Sequence, residues 1–169
     1  LSAGTEATEV ALKLMRMWGK NINPSKQAII CFDGNWHGRT LGAQFMAGNE
    51  AQKTWVGFTD PLTYHLPFPY LDNRSFKNDF YEMCSSKNLN PEKDIAGIML
   101  ETYQGWGAYF YPLKYIKEID EIRKKYNIII SFDEMQSGFG RTGKLFGYMH
   151  YNIEPDILCC GKGASSSLP

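Results

Sequence analysis

The chain lacks several features that would place it in a common class. Its 18 lysine and arginine residues balance its 18 aspartate and glutamate residues, so no excess charge favours a nucleic acid or a charged membrane as partner. No apolar run approaches the roughly 20 residues that span a bilayer, and no charged-then-apolar leader opens the chain. We therefore predict a soluble, cytoplasmic protein.

A metal site is also poorly supported. The chain has only 4 cysteines and 3 histidines. No cysteine pair has the C-x2-C spacing of a metal ligand pair, and the histidines are scattered. We expect no bound metal, and we interpret the cysteines as small core residues, the adjacent pair Cys159 and Cys160 within a buried strand.

What the chain does contain is an alternation of helical and strand patterns. The 169 residues are enough for one domain with a real core. The alternation predicts a three-layer α/β/α fold with a mostly parallel sheet and helices on both faces. Residues 49–73 lack periodicity and are expected to form an ordered loop, and both ends look cut, as in a fragment. The predicted helices cover residues 5–18, 39–46, 75–87 and 113–126, and the predicted strands cover residues 28–32, 95–100, 128–132 and 155–160.

An acid and an amine stand at the ends of two of these strands. Asp133 follows the apolar run 128–132, and Lys162 follows the run 155–160. In α/β sheets ligands collect beyond the carboxyl ends of the strands. We therefore expect both side chains to face one apolar crevice, where they favour cofactor chemistry.

The first helix begins with a possible anion site. Backbone N–H groups at a helix start lack partners, and Gly4 and Thr5 would let an anion approach them and add a hydroxyl. An ordinary threonine cap explains the same residues, and by itself explains them better.

Two further strand ends carry polar and aromatic residues. Trp36, His37 and Arg39 follow the first strand, and Glu101 and Gln104 follow the second. Each group alone is explained by loop packing or by a carboxylate bonded to nearby backbone. Taken together, the four strand ends supply an aromatic face, an acid, an amide and a lysine.

Residues 138–144 match the G-x4-G-K spacing of a nucleotide-binding loop. An ATPase would then use the acidic strand end at Asp133 and Glu134 for magnesium. However, Leu145 stands where a serine or threonine should reach the metal, and the segment follows the acidic strand instead of opening a helix. We keep this hypothesis only as a remote alternative.

The motifs at residues 2–7, 36–40, 101–107, 132–143 and 154–163 occur together in an order that resembles the class III, or ω-amino-acid type, aminotransferases that depend on pyridoxal 5′-phosphate. The resemblance implies the large, cofactor-binding domain of pyridoxal-phosphate fold type I over residues 1–169. It also implies that an N-terminal segment and a C-terminal small domain lie outside the chain, and that the active site forms between two subunits of a homodimer or higher homo-oligomer.

The resemblance also implies roles for individual residues. Lys162 matches the lysine that binds the cofactor covalently and then moves a proton as a base. Asp133 matches the acid that pairs with the pyridinium nitrogen, and Gln136 the residue beside the phenolic oxygen. Trp36 matches the aromatic residue that stacks on the ring, with His37 beside it in the cofactor site.

The remaining matches concern the phosphate and the substrate. Gly4 and Thr5 fall on the family's phosphate-binding turn. Arg39 matches a position that holds a substrate carboxylate in some members, through bidentate hydrogen bonds. Glu101 is assigned to the substrate side, where Trp106 replaces a second acidic residue of many members.

The implied activity is transfer of an amino group from an amino acid or ω-amino acid to a 2-oxo acid. Same-fold decarboxylases, aminomutases and epimerases share the lysine and the acid and are the nearest alternative. An inactive fragment is another, because the active site that the resemblance implies also uses segments before Leu1 and after Pro169. In addition, residues 164–167 replace the glycine-rich turn expected after Lys162.

Overall fold

A single five-stranded parallel sheet organises the protein, which we describe from a computed structural model covering residues 1–70 and 73–164. The strand order is β2-β1-β3-β6-β7, and every neighbouring pair is parallel. A two-stranded antiparallel hairpin, β4-β5, stands apart from it. The elements are α1 (Gly4–Ile22), β1 (Ala28–Phe32), α2 (Leu41–Met46), β2 (Thr63–Leu66), α3 (Phe76–Ser86), α4 (Pro91–Asp94), β3 (Ile95–Glu101), β4 (Tyr103–Gln104), β5 (Tyr109–Phe110), α5 (Leu113–Tyr126), β6 (Ile129–Asp133) and β7 (Ile157–Cys159).

Helices cover both faces of the sheet, which is why its central strands are apolar on both sides. Ile29 and Cys31 of β1 belong to a cluster with α1 and α2. Ile30 and Phe32, which point the other way, belong to a larger cluster with α3 and α5. The predicted three-layer α/β/α fold with a parallel sheet is confirmed.

Helix α1 lies close against the sheet because a glycine of the sheet, Gly97, faces it. Its buried residues follow a helical period, and Met15 is fully buried above β3. At Gly97 of β3 a Cβ atom would stand 2.2 Å from the Met15 sulfur, so this contact requires glycine. The helix position in turn fixes where its first residues meet the end of the sheet.

The cap residues explain where the shorter helices begin and end. Ser75 accepts a hydrogen bond from the Asn78 N–H at the start of α3. Asn127 ends α5 in the left-handed conformation, with φ of 51°. The predicted inward face of α5, with Ile116, Ile119 and Ile122, is confirmed by their burial.

Since all five strands are parallel, their carboxyl ends lie at one edge of the sheet. The segments that leave β1, β3, β6 and β7 there contain the residues singled out in the sequence. The hairpin β4-β5 follows β3 after one residue and stands over the same edge. Topology alone therefore brings four distant segments together.

Two sequence-based predictions were wrong. Residues 49–73 are not free of regular structure, since they contain two short 3₁₀ helices and the edge strand β2, which pairs with β1. That strand was missed because a half-exposed edge strand has little apolar signal. Cys160 is exposed and lies beyond β7, unlike the buried Cys31, Cys84 and Cys159. Residues 71 and 72, and the altered turn from Ser165 onward, lie outside the described residues.

In the part of the chain that the structure describes, no helix is both long and apolar enough to cross a bilayer. Within the same residues, no three histidine, cysteine, aspartate or glutamate side chains are grouped as metal ligands.

Candidate functional site

Nine of the ten site residues predicted from the sequence line one cavity of about 300 Å³ at the carboxyl edge of the sheet. The tenth, Trp106, lines an adjoining cavity of about 420 Å³. The two cavities share Trp36, Arg39, Gln136 and Lys162. The nine residues in the first cavity are Gly4, Thr5, Trp36, His37, Arg39, Glu101, Asp133, Gln136 and Lys162.

Asp133 is the last residue of β6, and its side chain is almost completely buried. One carboxylate oxygen lies 2.9 Å from His37 Nδ1, and the other accepts the Met135 N–H at 3.0 Å. These two bonds fix the plane of the carboxylate. The opposite ring nitrogen of His37, Nε2, is buried and has no hydrogen-bond partner among the described residues.

The start of α1 closes one side of the cavity. Its cap position, Ala3, offers no side-chain hydrogen bond, and the Gly4 and Thr5 N–H groups donate to no described residue. A Cβ at Gly4 would lie 2.7 Å from the Met135 sulfur, so glycine here makes room for Met135 and brings the helix start against the Asp133 loop. Two backbone donors and the positive helix end therefore face the cavity.

The loop after β1 is fastened to α1 through hydroxyl groups. Thr5 Oγ1 lies 2.9 Å from Thr40 Oγ1, and Thr8 Oγ1 donates to the His37 carbonyl at 2.6 Å. Gly38 has φ of 127°, and a Cβ there would lie 2.2 Å from Thr5 Oγ1. The sequence pattern His-Gly-Arg-Thr is thus explained by packing as well as by chemistry.

Glu101 connects the aromatic loop with the hairpin. It ends β3, is 5% exposed, and accepts the N–H groups of Trp36 at 2.9 Å and Gly105 at 3.3 Å. Burial is the largest cause that raises the pKa of Glu101, and Asp133 adds to it, while His37 and the two N–H groups lower it. Together these effects bring the pKa of Glu101 to about 7. A carboxyl group that titrates near neutrality therefore lies beside the cavity.

Trp36 carries two contacts that define the second cavity. The Arg39 guanidinium carbon stands 4.9 Å from the Trp36 ring centroid, and Trp106 meets Trp36 edge to face, with centroids 6.1 Å apart at 80°. Trp106 lies in the turn between β4 and β5 and is 62% exposed.

Lys162 is exposed and, like Gln136, lines three cavities. It lines both cavities described above and a third of about 710 Å³, which also includes Tyr103 and Arg141. Its backbone φ is 45°, a left-handed conformation that is costly for a residue other than glycine. Its amine donates to no described residue, so the structure presents it to the open space of the site.

Sequence reasoning missed the structural importance of Glu134, next to Asp133. Glu134 is fully buried and accepts four hydrogen bonds, from the hydroxyls of Thr102 and Ser137 and the N–H groups of Gly147 and Tyr148. A glutamate directly after a buried strand was the available signal. It fixes the loops behind the site, leaving Asp133 to face the cavity.

The glycine-rich segment 138–144 does not form a phosphate loop of the strand–loop–helix kind. The Gly140 N–H bonds back to the Leu145 carbonyl, and the next regular element is a four-residue 3₁₀ helix, Gly147–His150. No α-helix N-terminus follows the glycines in the described residues, so the geometry that the ATPase hypothesis requires is missing.

Comparison with known proteins agrees with this geometry. The family described as "Aminotransferase class-III" matches residues 1–169. The chain is 37% identical over 172 residues to ornithine aminotransferase 1 of Staphylococcus saprophyticus, covering 99% of this chain and 40% of the relative. It is 34% identical over 169 residues to acetylornithine aminotransferase of Nitrosomonas europaea, again covering 99% of this chain and 40% of the relative.

Solved structures give the same result. The (S)-enantioselective omega-transaminase from Thermomicrobium roseum superposes with a TM-score of 0.86 at 29% identity, covering 100% of this chain and 40% of that one. A transaminase from Virgibacillus gives 0.88 at 29% identity, with 100% and 38% covered. The chain therefore spans about 40% of the length of these relatives. Members of the matched family use pyridoxal phosphate. By the match along its whole length, the chain belongs to the class III aminotransferase family.

Proposed function

We propose that the whole protein is a pyridoxal-phosphate-dependent aminotransferase that moves an amino group from an amino acid or ω-amino acid to a 2-oxo acid. The observation that carries the proposal is the meeting of Asp133, Lys162 and the start of α1 around one cavity. These groups are far apart in the sequence, and parallel strand topology is what brings them together.

The residues present fit the cofactor by their chemistry. The unpaired N–H groups of Gly4 and Thr5 suit a phosphate, and the fixed carboxylate of Asp133 suits a protonated ring nitrogen. Trp36 offers an aromatic face, and Gln136 an amide for the phenolic oxygen. We assign cofactor binding to these residues together with His37 and Lys162.

His37 supports Asp133 in this proposal. Its Nδ1–H donates to the carboxylate, which holds the negative charge of Asp133 in one orientation. Both side chains are buried, so the interaction is screened little by water. Asp133 would thereby help to keep a proton on the ring nitrogen of a bound cofactor.

When bound, pyridoxal phosphate supplies an electron-withdrawing ring that stabilises negative charge on the carbon next to the substrate amine. Lys162 holds the cofactor and then acts as the base that removes the proton from that substrate carbon. Its exposure to both cavities places the amine between the cofactor side and the substrate side. Arg39 binds the substrate carboxylate, since a guanidinium forms two parallel hydrogen bonds with it.

The nearest alternative is another reaction of the same cofactor. Decarboxylases, aminomutases and epimerases of this fold use the same lysine and acid, and the described residues contain no feature that favours them. A P-loop ATPase remains a remote alternative, and so does an inactive fragment. The whole protein is further proposed to act in the cytoplasm as a homodimer or larger homo-oligomer, with residues 1–169 as part of its cofactor-binding domain.

Reconstitution of the whole protein with pyridoxal phosphate tests the function. We expect absorbance of bound cofactor, and borohydride reduction followed by peptide mapping should place the cofactor mass on Lys162. Single turnovers with a panel of amines should then convert the bound cofactor to its amine form, and a 2-oxo acid should reverse the change. Attachment to Lys144, or release of carbon dioxide without amine transfer, would contradict the proposal.

A further inference from the structure

The second cavity has an unusual combination of charge and aromatic surface. Its lining includes the Arg39 guanidinium, the Lys162 amine that would hold the cofactor, and no carboxylate among the described residues. Trp36, Trp106 and the backbone of Gly105 supply its apolar walls. We propose, on the basis of the function proposed above, that this cavity selects substrates with one carboxylate and a flat apolar group, and rejects those with a second ammonium group.

The aromatic wall is held in place, although Trp106 is exposed. The turn that carries Trp106 is closed by the β4-β5 pairing and by the Gly105 N–H, which donates to Glu101. A Cβ at Gly105 would lie 2.8 Å from Gln136 Oε1, so the turn is packed directly against the site. The position of the indole is therefore set by the backbone of the turn.

The stem of the hairpin is fixed from its other side. Gln104 Nε2 donates to the Tyr70 hydroxyl at 2.7 Å and to the Asp33 carbonyl at 3.2 Å. The Tyr70 and Tyr109 rings meet edge to face with centroids 5.2 Å apart. These contacts connect the hairpin with the loop after β1 that carries Trp36, so the two tryptophans belong to one framework.

Electrostatics decides which end of a substrate enters. A carboxylate is attracted by Arg39, whereas a second ammonium would meet the like charge of Arg39 and no described carboxylate in the lining. The Trp36 ring already contacts a cation, the Arg39 guanidinium, so a second ammonium against this ring would lie close to a like charge. An aromatic group against Trp106 gains burial and ring-to-ring contact without that repulsion.

The test measures equilibrium binding to the cofactor-loaded whole protein, with carboxylates that cannot be transaminated. The probes are 3-phenylpropanoate and 5-(trimethylammonio)pentanoate. The dissociation constant of each is measured by calorimetry. We expect the aromatic acid to bind at least about tenfold more tightly, a difference of about 1.4 kcal/mol. Equal binding, or preference for the quaternary ammonium, would overturn the proposal.

Variants of Trp106 locate the effect. Trp106→Ala should weaken 3-phenylpropanoate binding about tenfold, and Trp106→Phe should stay within about threefold of the parent. Trp106→Glu should reverse the preference, because it adds the missing carboxylate. Unchanged selectivity in Trp106→Ala and Trp106→Glu would refute the role of the indole.

The matched control is Trp55→Ala. Trp55 is 63% exposed, close to the 62% of Trp106, but lies in the 3₁₀ turn before β2. It should leave binding of both probes unchanged. Attachment of cofactor to Lys162, measured on the same samples, separates a failure of this proposal from a failure of the proposed function, since probe binding requires no turnover.

Discussion

At the amino edge of the sheet the charged groups have partners, whereas at the carboxyl edge several buried polar groups do not. The Lys26 amine, before β1, donates to the carbonyls of Glu92 and Tyr126 at 2.8 and 3.1 Å. Asp156, before β7, accepts from Arg123 and from the Ile130 N–H. At the other edge Glu101 is buried without a cation contact, and His37 Nε2 has no described partner.

The difference between the two edges separates stability from activity. Partners at the amino edge offset the cost of removing charge from water, so that edge stabilises the fold. At the carboxyl edge the same cost is left partly uncompensated, which is typical of sites that receive a ligand.

Lys162→Ala should abolish turnover, because no other described lysine lines both cavities. Cofactor attachment after borohydride reduction should be lost together with activity. Lys144→Ala is the control, since the Lys144 amine bonds to the Met149 carbonyl at 3.0 Å and lines neither of the two cavities. Residual attachment in Lys162→Ala would show that another amine holds the cofactor.

Asp133→Asn should leave the cofactor bound but slow proton transfer by about 10²-fold or more, because the ring nitrogen loses its anionic partner. Steady-state kinetics and the single-turnover rate measure the effect. Asp156→Asn makes the same chemical change at the amino edge and should leave the turnover number unchanged. If both variants lost activity equally, the two edges would not differ in function.

Glu101 should make stability depend on pH. Its pKa rises from 4.5 in the unfolded chain to about 7 in the fold, about 2.5 pH units, or roughly 3 kcal/mol. Because the fold favours the protonated form, this contribution is complete below about pH 4.5 and is lost as the pH rises through about 7. Urea unfolding of the cofactor-free protein should show this loss, and Glu101→Gln should remove it.

Asp60, at the amino edge, provides the opposite sign as control. Burial alone would raise the pKa of Asp60, but hydrogen bonds from Thr63 and Arg16 lower it below 3.8. Its contribution is therefore present above that value and is lost as the pH falls through the folded-state pKa. Asp60→Asn should remove this loss of stability on acidification, and leave the loss between pH 4.5 and 7 intact.

Lys26→Met should lower the free energy of unfolding by about 2 kcal/mol, since the Glu92 and Tyr126 carbonyls lose their donor. Cofactor attachment to Lys162 should not change. The exposed Lys13→Met variant should stay within about 0.5 kcal/mol of the parent. A loss of cofactor binding in Lys26→Met would show that the two edges are coupled.

The sequence predicted most of the central layer because those strands are long apolar runs with clear ends. Ile95–Glu101 and Ala28–Phe32 lie where the pattern placed them. Thr63–Leu66 was missed because its residues are mostly half-buried, which weakens the pattern. Cys160 was misplaced because an apolar run does not show at which residue the chain leaves the sheet.

The site residues could be predicted from the sequence only where the end of a strand could be predicted. Asp133 and Lys162 each follow an apolar run, although the second run does not show where β7 ends, and their roles remain predictions. Glu134 was not identified, because three of its four donors, Thr102, Gly147 and Tyr148, lie at least 13 residues away in the sequence. The contact between Trp106 and Trp36 could not be predicted from the sequence either, since it depends on how the β4-β5 hairpin folds over the sheet.

The sequence by itself determined the layers, the strand ends and the kinds of side chain that stand there, because periodicity and burial are local properties. Only the tertiary structure decided which ends meet, which carboxylate is bonded and which is left without a cation, and which aromatic rings touch. Those outcomes depend on the parallel order of the strands and on contacts across long stretches of chain, which no local pattern specifies.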